Sequence, residues 1–376
     1  MRIELKDTED QVELIKAIAS KDPNVAFEAK AAVAELVGPT ISKVINNAPT
    51  ISNFYRTVAF GEDENPSMPL DLLHNITDED FLRIHSQQTA GGLSSNEMFP
   101  SHDELKFKTY SMDSAWSVDK KYARKARLDV ISALFTRMAQ EFLLKQERTS
   151  VNQLLGALVA ADTDFGSGAA AGNHVVSAGT ANQLSIDDFN TMITRSKRLY
   201  SSFSSGTPST GVKVGITDLV MSPEMTEEIR SMAYQPVNTR SGAVATSGAT
   251  AIPATDEMRN QIMDSAGYPS IFGIGIVEIL EMGVNQRYNE IFDAVNTAAG
   301  SPVTFTQADD EIVVGIDRSN PDALLRPAIR EEGVSTEVSV NVDDQFVSRQ
   351  NKTGWYGKIE EGRIITEDRN ITGLTV

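Results

Sequence analysis

Hydrophobic positions recur at helical spacing over a long stretch, from Asp119 to Ala160, with no proline and no glycine before Gly156. An average helix in a soluble protein has only about 11–12 residues, whereas this one would span roughly 60 Å at ~1.5 Å per residue. Such a length is typical of a part that stretches across a large assembly. Its apolar positions are three or four residues apart, as on one face of an amphipathic helix: Tyr122, Ala126, Val130, Leu134, Phe135, Met138, Phe142, Val151, Leu154, Leu155 and Leu158.

Residues 8–37 show a second helical pattern. Asp22-Pro23 is expected to divide it into two helices, because proline suits a first turn and disfavours helix in the residue before it. Gly38-Pro39 is expected to end the second helix. These helices precede any obvious domain, which leaves two interpretations open: they dock onto a neighbouring molecule, or they pack on the core of their own chain.

Residues 61–118 begin with an acidic, turn-rich segment and then indicate a long β-ribbon. Phe81–Thr89 and Leu105–Val118 are predicted strands, the second because apolar residues alternate with lysines. A polar tip, Thr89–Pro100, joins them. A two-stranded ribbon is at best marginally stable alone, so we expect it to lie on another surface, across a subunit boundary.

Helices and strands interleave between residues 185 and 282, after a Gly-, Ala- and Ser-rich linker from Asp162 to Leu184. Ser222 and Pro223 have the cap and first-turn chemistry of a helix start. Interleaved elements predict an α/β or α+β block. The predicted elements are a helix over Ser185–Leu199, a strand over Val212–Met221, a helix from Pro223, an exposed loop over 235–255, a helix over Asp256–Ser265 and a strand over Ile271–Met282.

Short strands return in the C-terminal part of the chain. We expect them to pack near the long helix, so that the preceding block is an insertion in one discontinuous domain. Lys352–Trp355 and Glu361-Gly362 are predicted turns. The predicted strands are Glu311–Ile316, Thr336–Val342, Phe346–Gln350 and Arg363–Thr366.

Charge, cysteine content and hydropathy limit the class of protein to which this chain can belong. The 376 residues carry 34 Lys and Arg against 52 Asp and Glu, a net charge of −18. Such an acidic chain is a poor candidate for wrapping nucleic acid in a basic groove. The chain has no cysteine, which excludes disulfides and thiolate chemistry. It shows neither a signal-peptide pattern after Met1 nor an 18-residue apolar run, so we expect a soluble intracellular product without membrane contact.

A basic cluster stands near the start of the long predicted helix. Cations there oppose the helix dipole, which favours anions at an N-terminus. Three interpretations are open: a solvated face partnered by Asp119 and Asp129, a patch of salt bridges between subunits, or a phosphate site. The cluster consists of Lys120, Lys121, Arg124, Lys125 and Arg127.

No catalytic signature is present in the sequence. There is no Walker A motif and no G-x-S-x-G elbow, and Gly273-Ile-Gly275 lacks the third glycine of a dinucleotide loop. Ser117–Lys120 and Lys352–Gly354 match two of the three serine β-lactamase elements, but the middle one is missing. The four histidines are scattered, and pairs such as Asp309-Asp310 lack the surrounding loop of a Ca²⁺ site. We expect no enzyme activity, no cofactor and no metal.

The order of these elements resembles the HK97-fold major capsid protein of tailed bacteriophages: an arm, a β-ribbon, one very long helix, an inserted α/β block and a closing sheet. The resemblance covers nearly the whole chain, although its motifs are packing and turn patterns rather than catalytic signatures. The similar stretches are Asp218-Leu-Val-Met-Ser-Pro223, Gly283-Val-Asn-Gln-Arg-Tyr-Asn289, Val314-Gly-Ile-Asp-Arg318, Phe346-Val-Ser-Arg-Gln350, Gly354-Trp355 and Gly362-Arg363.

The resemblance implies an α+β fold with four parts: an N-terminal arm (1–60), an E-loop hairpin (61–118), a P domain with the spine helix and sheet (119–184 and 283–376) and an A domain (185–282). It implies a shell protein that assembles with itself into hexamers and pentamers of an icosahedral head around double-stranded DNA. The alternative is the shell of an encapsulin-like protein compartment.

The same resemblance implies partners and contact residues. The partners would be other copies of the chain, scaffold, portal and decoration proteins, and packaged DNA bound without sequence specificity, in a virion capsid assembled in the host cytoplasm. The expected intersubunit contacts are Met98, Phe99, Lys120, Lys121, Arg124, Lys125, Arg127, Gln235, Arg240, Arg349 and Trp355.

Overall fold

The structure is a computed structural model in which the chain forms two units, each built from separate stretches of sequence. Unit 1 comprises Met1–Met68, Glu104–Val151 and Leu324–Ile364, and unit 2 comprises Pro69–Asp103, Asn152–Ala323 and Ile365–Val376. The structure describes residues 8–48, 50–69, 104–125, 128–164, 174–199, 215–232, 270–271, 273–301, 303–331, 336–343 and 350–376.

Unit 1 begins with two helices, α1 (Glu9–Ile18) and α2 (Pro23–Asn46). Asp22 caps α2, since its Oδ1 accepts a hydrogen bond from Asn24 N at 3.0 Å. The predicted division at Asp22-Pro23 is therefore confirmed, and the helices pack on the core of their own unit.

The predicted end of α2 at Gly38-Pro39 is wrong, because the helix continues through Pro39. A proline inside a helix costs about 3 kcal/mol. Ile41 and Ile45 in the following turns are 0% and 2% exposed, and burying each of them contributes about 1.5–3 kcal/mol. Tertiary packing thus outweighs the local helix-breaking signal.

The single helix predicted from Asp119 is two helices, α3 (Lys120–Arg124) and α4 (Leu128–Asp164). The 37 residues of α4 span about 55 Å at ~1.5 Å per residue, so a very long helix is confirmed from Leu128. Lys121 and Arg124 lie in the last turn of α3, where cations interact favourably with the helix dipole.

A six-stranded mixed sheet forms the rest of unit 1, in the order β1-β10-β12-β11, with β4 paired to β12 and β13 to β10. β1 and β10 are parallel, whereas β12 is antiparallel to β10, β11 and β4. The strands are β1 (Arg56–Gly61), β4 (Tyr110–Asp119), β10 (Leu324–Arg330), β11 (Val338–Asp343), β12 (Lys352–Glu361) and β13 (Ile364–Ile365).

Two predictions about these strands are wrong. The predicted strand Leu105–Val118 is divided into β3 (Glu104–Lys106), which pairs with β2 (Ser67–Pro69), and β4. Lys352–Trp355, predicted as a turn, is the start of β12 and pairs with β4 from Lys352↔Asp119 onward. The glycine at Gly354 favoured a turn in the sequence prediction, although glycine also occurs inside strands.

The core of unit 1 lies between α4 and β12. Phe135 of α4 packs edge-to-face on Trp355, with ring centroids 5.6 Å apart. Gly357 gives α4 room, because a Cβ there would overlap Met138 Cε and lie 3.3 Å from the Trp116 ring. Phe135 and Met138, two of the apolar α4 positions predicted from sequence, therefore face the sheet of unit 1.

Unit 2 contains a second six-stranded sheet, in the order β5-β14-β9-β6-β8-β7. β9, predicted from the sequence as Glu311–Ile316, pairs with β6 and with β14, a strand that the sequence analysis missed. The strands are β5 (Val175–Ser177), β6 (Asp218–Met221), β7 (Ser270–Ile271), β8 (Ile274–Glu278), β9 (Ile312–Ile316) and β14 (Ile371–Thr375).

Among the described residues, the helices that follow α4 in this unit are α5 (Ile186–Leu199), α6 (Pro223–Met232) and α7 (Arg287–Ala299). The predicted helix starts are confirmed. Ser185 and Asp188 form a reciprocal cap of α5, with Ser185 N donating to Asp188 Oδ2 at 3.0 Å and Asp188 N to Ser185 Oγ at 3.3 Å. The sequence analysis missed α7.

The α+β class is confirmed, since both units combine helices with mixed or antiparallel sheets. The strand predicted over Ile271–Met282 ends at Glu278. Several predicted elements lie outside the described residues: Phe81–Thr89, Thr89–Pro100, 235–255, Asp256–Ser265 and Phe346–Gln350. The four-part domain division stays a prediction.

Candidate functional site

Four residues of the predicted basic cluster lie on α3 or at its C-cap, at the surface of unit 1: Lys120, Lys121, Arg124 and Lys125. Asp119 is the N-cap of α3: its Oδ1 accepts a hydrogen bond from Lys121 N at 3.0 Å, and its Oδ2 lies 3.3 Å from Lys121 Nζ. The backbone hydrogen bond from Lys121 is the main cause that holds the pKa of Asp119 below its usual value. One cation of the cluster thus has the acidic partner expected from the sequence.

The cluster presents its charge to solvent. Lys121, Arg124 and Lys125 are exposed, and Lys120 is half-buried. Lys121 Nζ also lies 5.0 Å from the centroid of the Tyr122 ring. Such a surface suits the acidic surface of a second molecule, and the intersubunit role of these four residues stays a prediction.

Trp355, predicted as an intersubunit contact, is a core residue, and that prediction is wrong. Its side chain is 1% exposed, packs on Phe135 and donates from Nε1 to the Lys30 carbonyl at 3.4 Å. Alternate side chains of a strand point to opposite faces, and the register of β12 turns this one towards α4.

The remaining predicted contact residues lie outside the described residues: Met98, Phe99, Arg127, Gln235, Arg240 and Arg349. Their roles stay predictions.

A buried ionic network in unit 1 was missed by the sequence analysis. Glu361, which is 0% exposed, accepts through Oε2 from Arg326 Nε at 2.7 Å and from Gln146 Nε2 at 3.0 Å. Its Oε1 accepts from Tyr110 OH at 3.0 Å and lies 3.0 Å from Arg363 Nη2. Four donors thus replace the hydration that the carboxylate loses.

Both arginines of the network have further partners. Arg326 Nη2 lies 2.9 Å from Glu337 Oε2, so two arginines face two glutamates and the network is neutral overall. Arg363 donates to Ser150 Oγ at 3.0 Å and to Ser52 Oγ at 2.7 Å. The network therefore ties α4, β4, β10, β12 and the 3₁₀ turn Ile51–Phe54 together, with Glu337 directly before β11.

Two tyrosines are part of this buried region. Burial raises the pKa of Tyr110 to about 12, and the Glu361 charge adds to the shift. Burial also raises the pKa of Tyr55 above its usual value, and Tyr55 OH donates to the Ser150 carbonyl at 3.0 Å. Both phenols therefore stay protonated at neutral pH and act as hydrogen-bond donors, which is a structural role.

Glu311 of unit 2 is a carboxyl in a perturbed environment. Glu311 is 6% exposed, and Ser222 donates its hydroxyl to Glu311 Oε2. Burial raises the pKa of Glu311, and the charges of Glu224 and Glu228 raise it further. Ser222 also caps α6 by accepting from Met225 N at 3.1 Å, so the carboxyl supports a helix start.

Neither a metal site nor a membrane span is found in the described parts of the chain. No group of three or more His, Cys, Asp or Glu there is placed to hold a metal ion. No helix among these residues has the length and apolar character needed to cross a membrane. The described surface instead offers exposed apolar side chains on α2, of which Phe27 is 51% and Leu36 48% exposed.

No family model and no curated protein matches the sequence. The fold is similar to solved shell structures at low identity. The capsid of the native GTA particle computed with C5 symmetry is 11% identical, with 87% of this chain and 89% of that chain covered and a TM-score of 0.47. The capsid of cyanophage P-SCSP1u is 10% identical, with 85% and 86% covered and a TM-score of 0.46.

The holo-SrpI encapsulin complex from Synechococcus elongatus PCC 7942 is also similar, at 6% identity, with 73% of this chain and 76% of that chain covered and a TM-score of 0.38. TM-scores of this size do not establish a shared function. The functional argument therefore rests on the geometry of this chain.

Proposed function

We propose that this chain is a major capsid protein: the shell subunit that assembles into hexamers and pentamers of an icosahedral bacteriophage head around double-stranded DNA. The observation that carries the proposal is the path of the chain through its two units. The chain leaves unit 1 within α4, after Val151, returns to it at Leu324 and enters unit 2 again at Ile365. That path, together with the N-terminal helices and the 37-residue α4, supports the part order of a shell subunit.

The function is geometric rather than catalytic. Copies related by rotation meet through heterologous contacts that close into rings, and rings close into a shell. Each contact need bury only a modest area, because many contacts act together. The buried ionic network and the α4–β12 core supply a rigid body, and the exposed basic cluster on α3 supplies charge that complements an acidic neighbour.

DNA would be enclosed by this shell without being read. Non-specific binding to DNA scales with the number of phosphate-neutralising cations, and the chain carries 52 acidic against 34 basic residues. A shell of this composition retains DNA by confinement, so the genome can move in and out. Scaffold, portal and decoration proteins and assembly in the host cytoplasm belong to the same proposal.

The test is expression of the chain alone, followed by analytical ultracentrifugation and negative-stain electron microscopy, with and without the neighbouring genes of its genome. Rings of five and six copies, or closed particles, support the proposal. A monomer that forms neither, even with those genes, overturns it. Particles that copurify with one protein cargo, and never package DNA, would instead identify an encapsulin-like compartment.

A further inference from the structure

Two exposed cations of the basic cluster stand at one end of the sheet of unit 1. Lys120 of α3 donates its backbone N–H to the Asn351 carbonyl at 3.0 Å, directly before β12 begins at Lys352. Arg124 and Lys125 follow at the end of α3 and are exposed. Within the part of the chain that the structure describes, neither of these two has an ion-pair partner. Their charge is therefore available to a second molecule.

The opposite end of the same sheet carries carboxylates. Gly61 and Arg330 are paired at the ends of the parallel strands β1 and β10, so Glu62 and Glu331, the next residue of each strand, follow at the same edge of the sheet. The two line a cleft together with Ile329, Glu337, Lys358 and Glu360.

Two carboxylates of this cleft are unpaired. Glu337 is paired with an arginine of the buried network, and Glu360 Oε2 lies 3.6 Å from Lys358 Nζ. Glu62 is exposed and Glu331 is half-buried, and among the described residues neither has an ion-pair partner. The cleft thus offers two negative charges, which match in number the two exposed cations at the end of α3.

The two ends of the sheet are too far apart to neutralise each other within one chain. β12 runs from Lys352, beside α3, to Glu360, in the cleft, and these eight steps span about 26 Å at ~3.3 Å per residue. Exposed charges separated by more than about 10 Å are largely screened at 0.1 M salt. The two surfaces can therefore be satisfied only by a partner, and each has the chemistry that the other needs.

A contact between these two surfaces has the geometry of a ring. It joins different surfaces of two copies, one at each end of the sheet, and is therefore heterologous. Heterologous contacts repeat from copy to copy and close when the rotation between copies allows it. An isologous contact would instead bring like charges together at each of these ends.

Apolar side chains lie beside the charges on both surfaces. Exposed ion pairs contribute only about 0–1 kcal/mol each, so a stable contact also needs apolar area. Tyr122 of α3 is 37% exposed, and Ile329 is half-buried in the lining of the cleft. These two residues give the contact an apolar centre between its charges.

We propose that α3 of one copy docks into the carboxyl-lined cleft at the far end of the sheet in the next copy of the same ring, with Arg124 and Lys125 facing Glu62 and Glu331. The inference rests on the proposed function and names the acidic surface that receives the basic cluster. Complementary charge at such a contact selects the partner and fixes its orientation.

The test is a reciprocal reversal of charge. One variant carries Arg124→Glu/Lys125→Glu and the other Glu62→Lys/Glu331→Lys. Each places like charges on both sides of the contact, so we expect each to lower the yield of rings on the order of tenfold at low salt. The chain with all four substitutions has opposite charges again and should form rings as the parent does. The matched control combines Arg124→Glu/Lys125→Glu with Glu227→Lys/Glu290→Lys, at exposed carboxylates of unit 2, and should stay impaired.

Mixing the two double variants shows whether the contact lies between copies. Each variant repels itself but complements the other, so mixed rings must alternate the two chains. We expect the mixture to form rings of six in negative-stain images and no rings of five, because an odd ring places two like surfaces side by side. Tags of different mass should show the two chains in equal amounts.

Rings from the fourfold variant and from the mixture support the proposal. No rescue in either sample overturns it, provided that each variant melts at the temperature of the parent. Rescue in the fourfold variant without rescue in the mixture also overturns it, since the charges would then meet within one chain. Normal rings of Arg124→Glu/Lys125→Glu that retain less DNA would mean that the cluster contacts phosphate, which overturns the contact as well.

The same samples separate this inference from the proposed function. Parent rings that neither reversal weakens refute only the contact. If the parent forms no rings under any condition, the shell function fails, whereas heterodimers of the two double variants in low-salt sedimentation would still support the contact. Without such heterodimers, both proposals are wrong.

Discussion

Arg326 and Glu361 form a buried ion pair in which Arg326 Nε lies 2.7 Å from Glu361 Oε2, with side chains 3% and 0% exposed. Removing one partner of a buried pair leaves an uncompensated charge and costs about 3–5 kcal/mol. We therefore expect Glu361→Gln to lower the free energy of unfolding by about that amount, measured by urea denaturation of the unassembled chain.

Glu360→Gln is the matched control for this experiment. Glu360 is the adjacent residue of β12, its side chain is 30% exposed, and its Oε2 lies 3.6 Å from Lys358 Nζ. Pairs of this kind contribute about 0–1 kcal/mol. Equal losses for the two variants would show that the buried network has no special role in the stability of unit 1.

Gly357 and Met138 form a close contact between β12 and α4. Gly357→Ala would bring a Cβ into overlap with Met138 Cε, and overpacking of a core costs about 1–3 kcal/mol. We expect Gly357→Ala to have a lower melting temperature than the parent. In the double variant Gly357→Ala/Met138→Ala the shorter side chain removes the overlap, so part of the lost stability should return. A double-mutant cycle measures this effect as a coupling energy between the two positions.

Gly156→Ala serves as the control, because nothing lies within 4 Å of a Cβ at this helical glycine. It should stabilise α4 by about 0.5–1 kcal/mol through the helix propensity of alanine. A destabilisation by Gly156→Ala as large as that by Gly357→Ala would contradict the packing argument.

The sequence predicts regular elements where local signals and tertiary packing agree. Ser185, Ser222 and Asp22 mark helix starts that the structure contains, because a cap is a local interaction. The continuation of α2 through Pro39 could not be predicted, since it depends on burial of Ile41 and Ile45 against partners distant in sequence.

The candidate surfaces were harder to predict for the same reason. Trp355 looks like a contact residue by composition, but its inward direction depends on the register of β12 with β4. The network of Arg326, Glu361 and Arg363 has no sequence motif, because Arg326 of β10 meets Glu361 of β12 only when these two strands pair. The exposed basic cluster on α3 was found because its charges are contiguous.

The basic cluster on α3 should matter for assembly more than for folding. We expect Arg124→Glu/Lys125→Glu to reduce the yield of rings or particles at low salt, since reversed charges repel an acidic neighbour. Both residues are exposed, so the melting temperature should change little. The control is Lys145→Glu/Lys197→Glu, the same charge change at exposed positions elsewhere. Equal assembly of the two variants would refute an intersubunit role for the cluster.

Glu311 should make the stability of unit 2 depend on pH. Because burial raises its folded-state pKa above the unfolded value, the folded state binds more protons in the interval between the two pKa values. Stability from this group is therefore gained as pH falls through the folded pKa and is lost as pH rises through it.

Glu311→Gln keeps an acceptor for Ser222 and removes the titration. We therefore expect this variant to be more stable than the parent above the folded pKa of Glu311, and we expect the difference in stability to disappear at lower pH. Urea denaturation of both chains between pH 5 and 8 measures this difference, with Glu290→Gln, at an exposed carboxyl on α7, as the control. If the difference in unfolding free energy between Glu311→Gln and the parent instead increases as pH falls, the fold stabilises Glu311 as the carboxylate. Burial would then not raise its pKa.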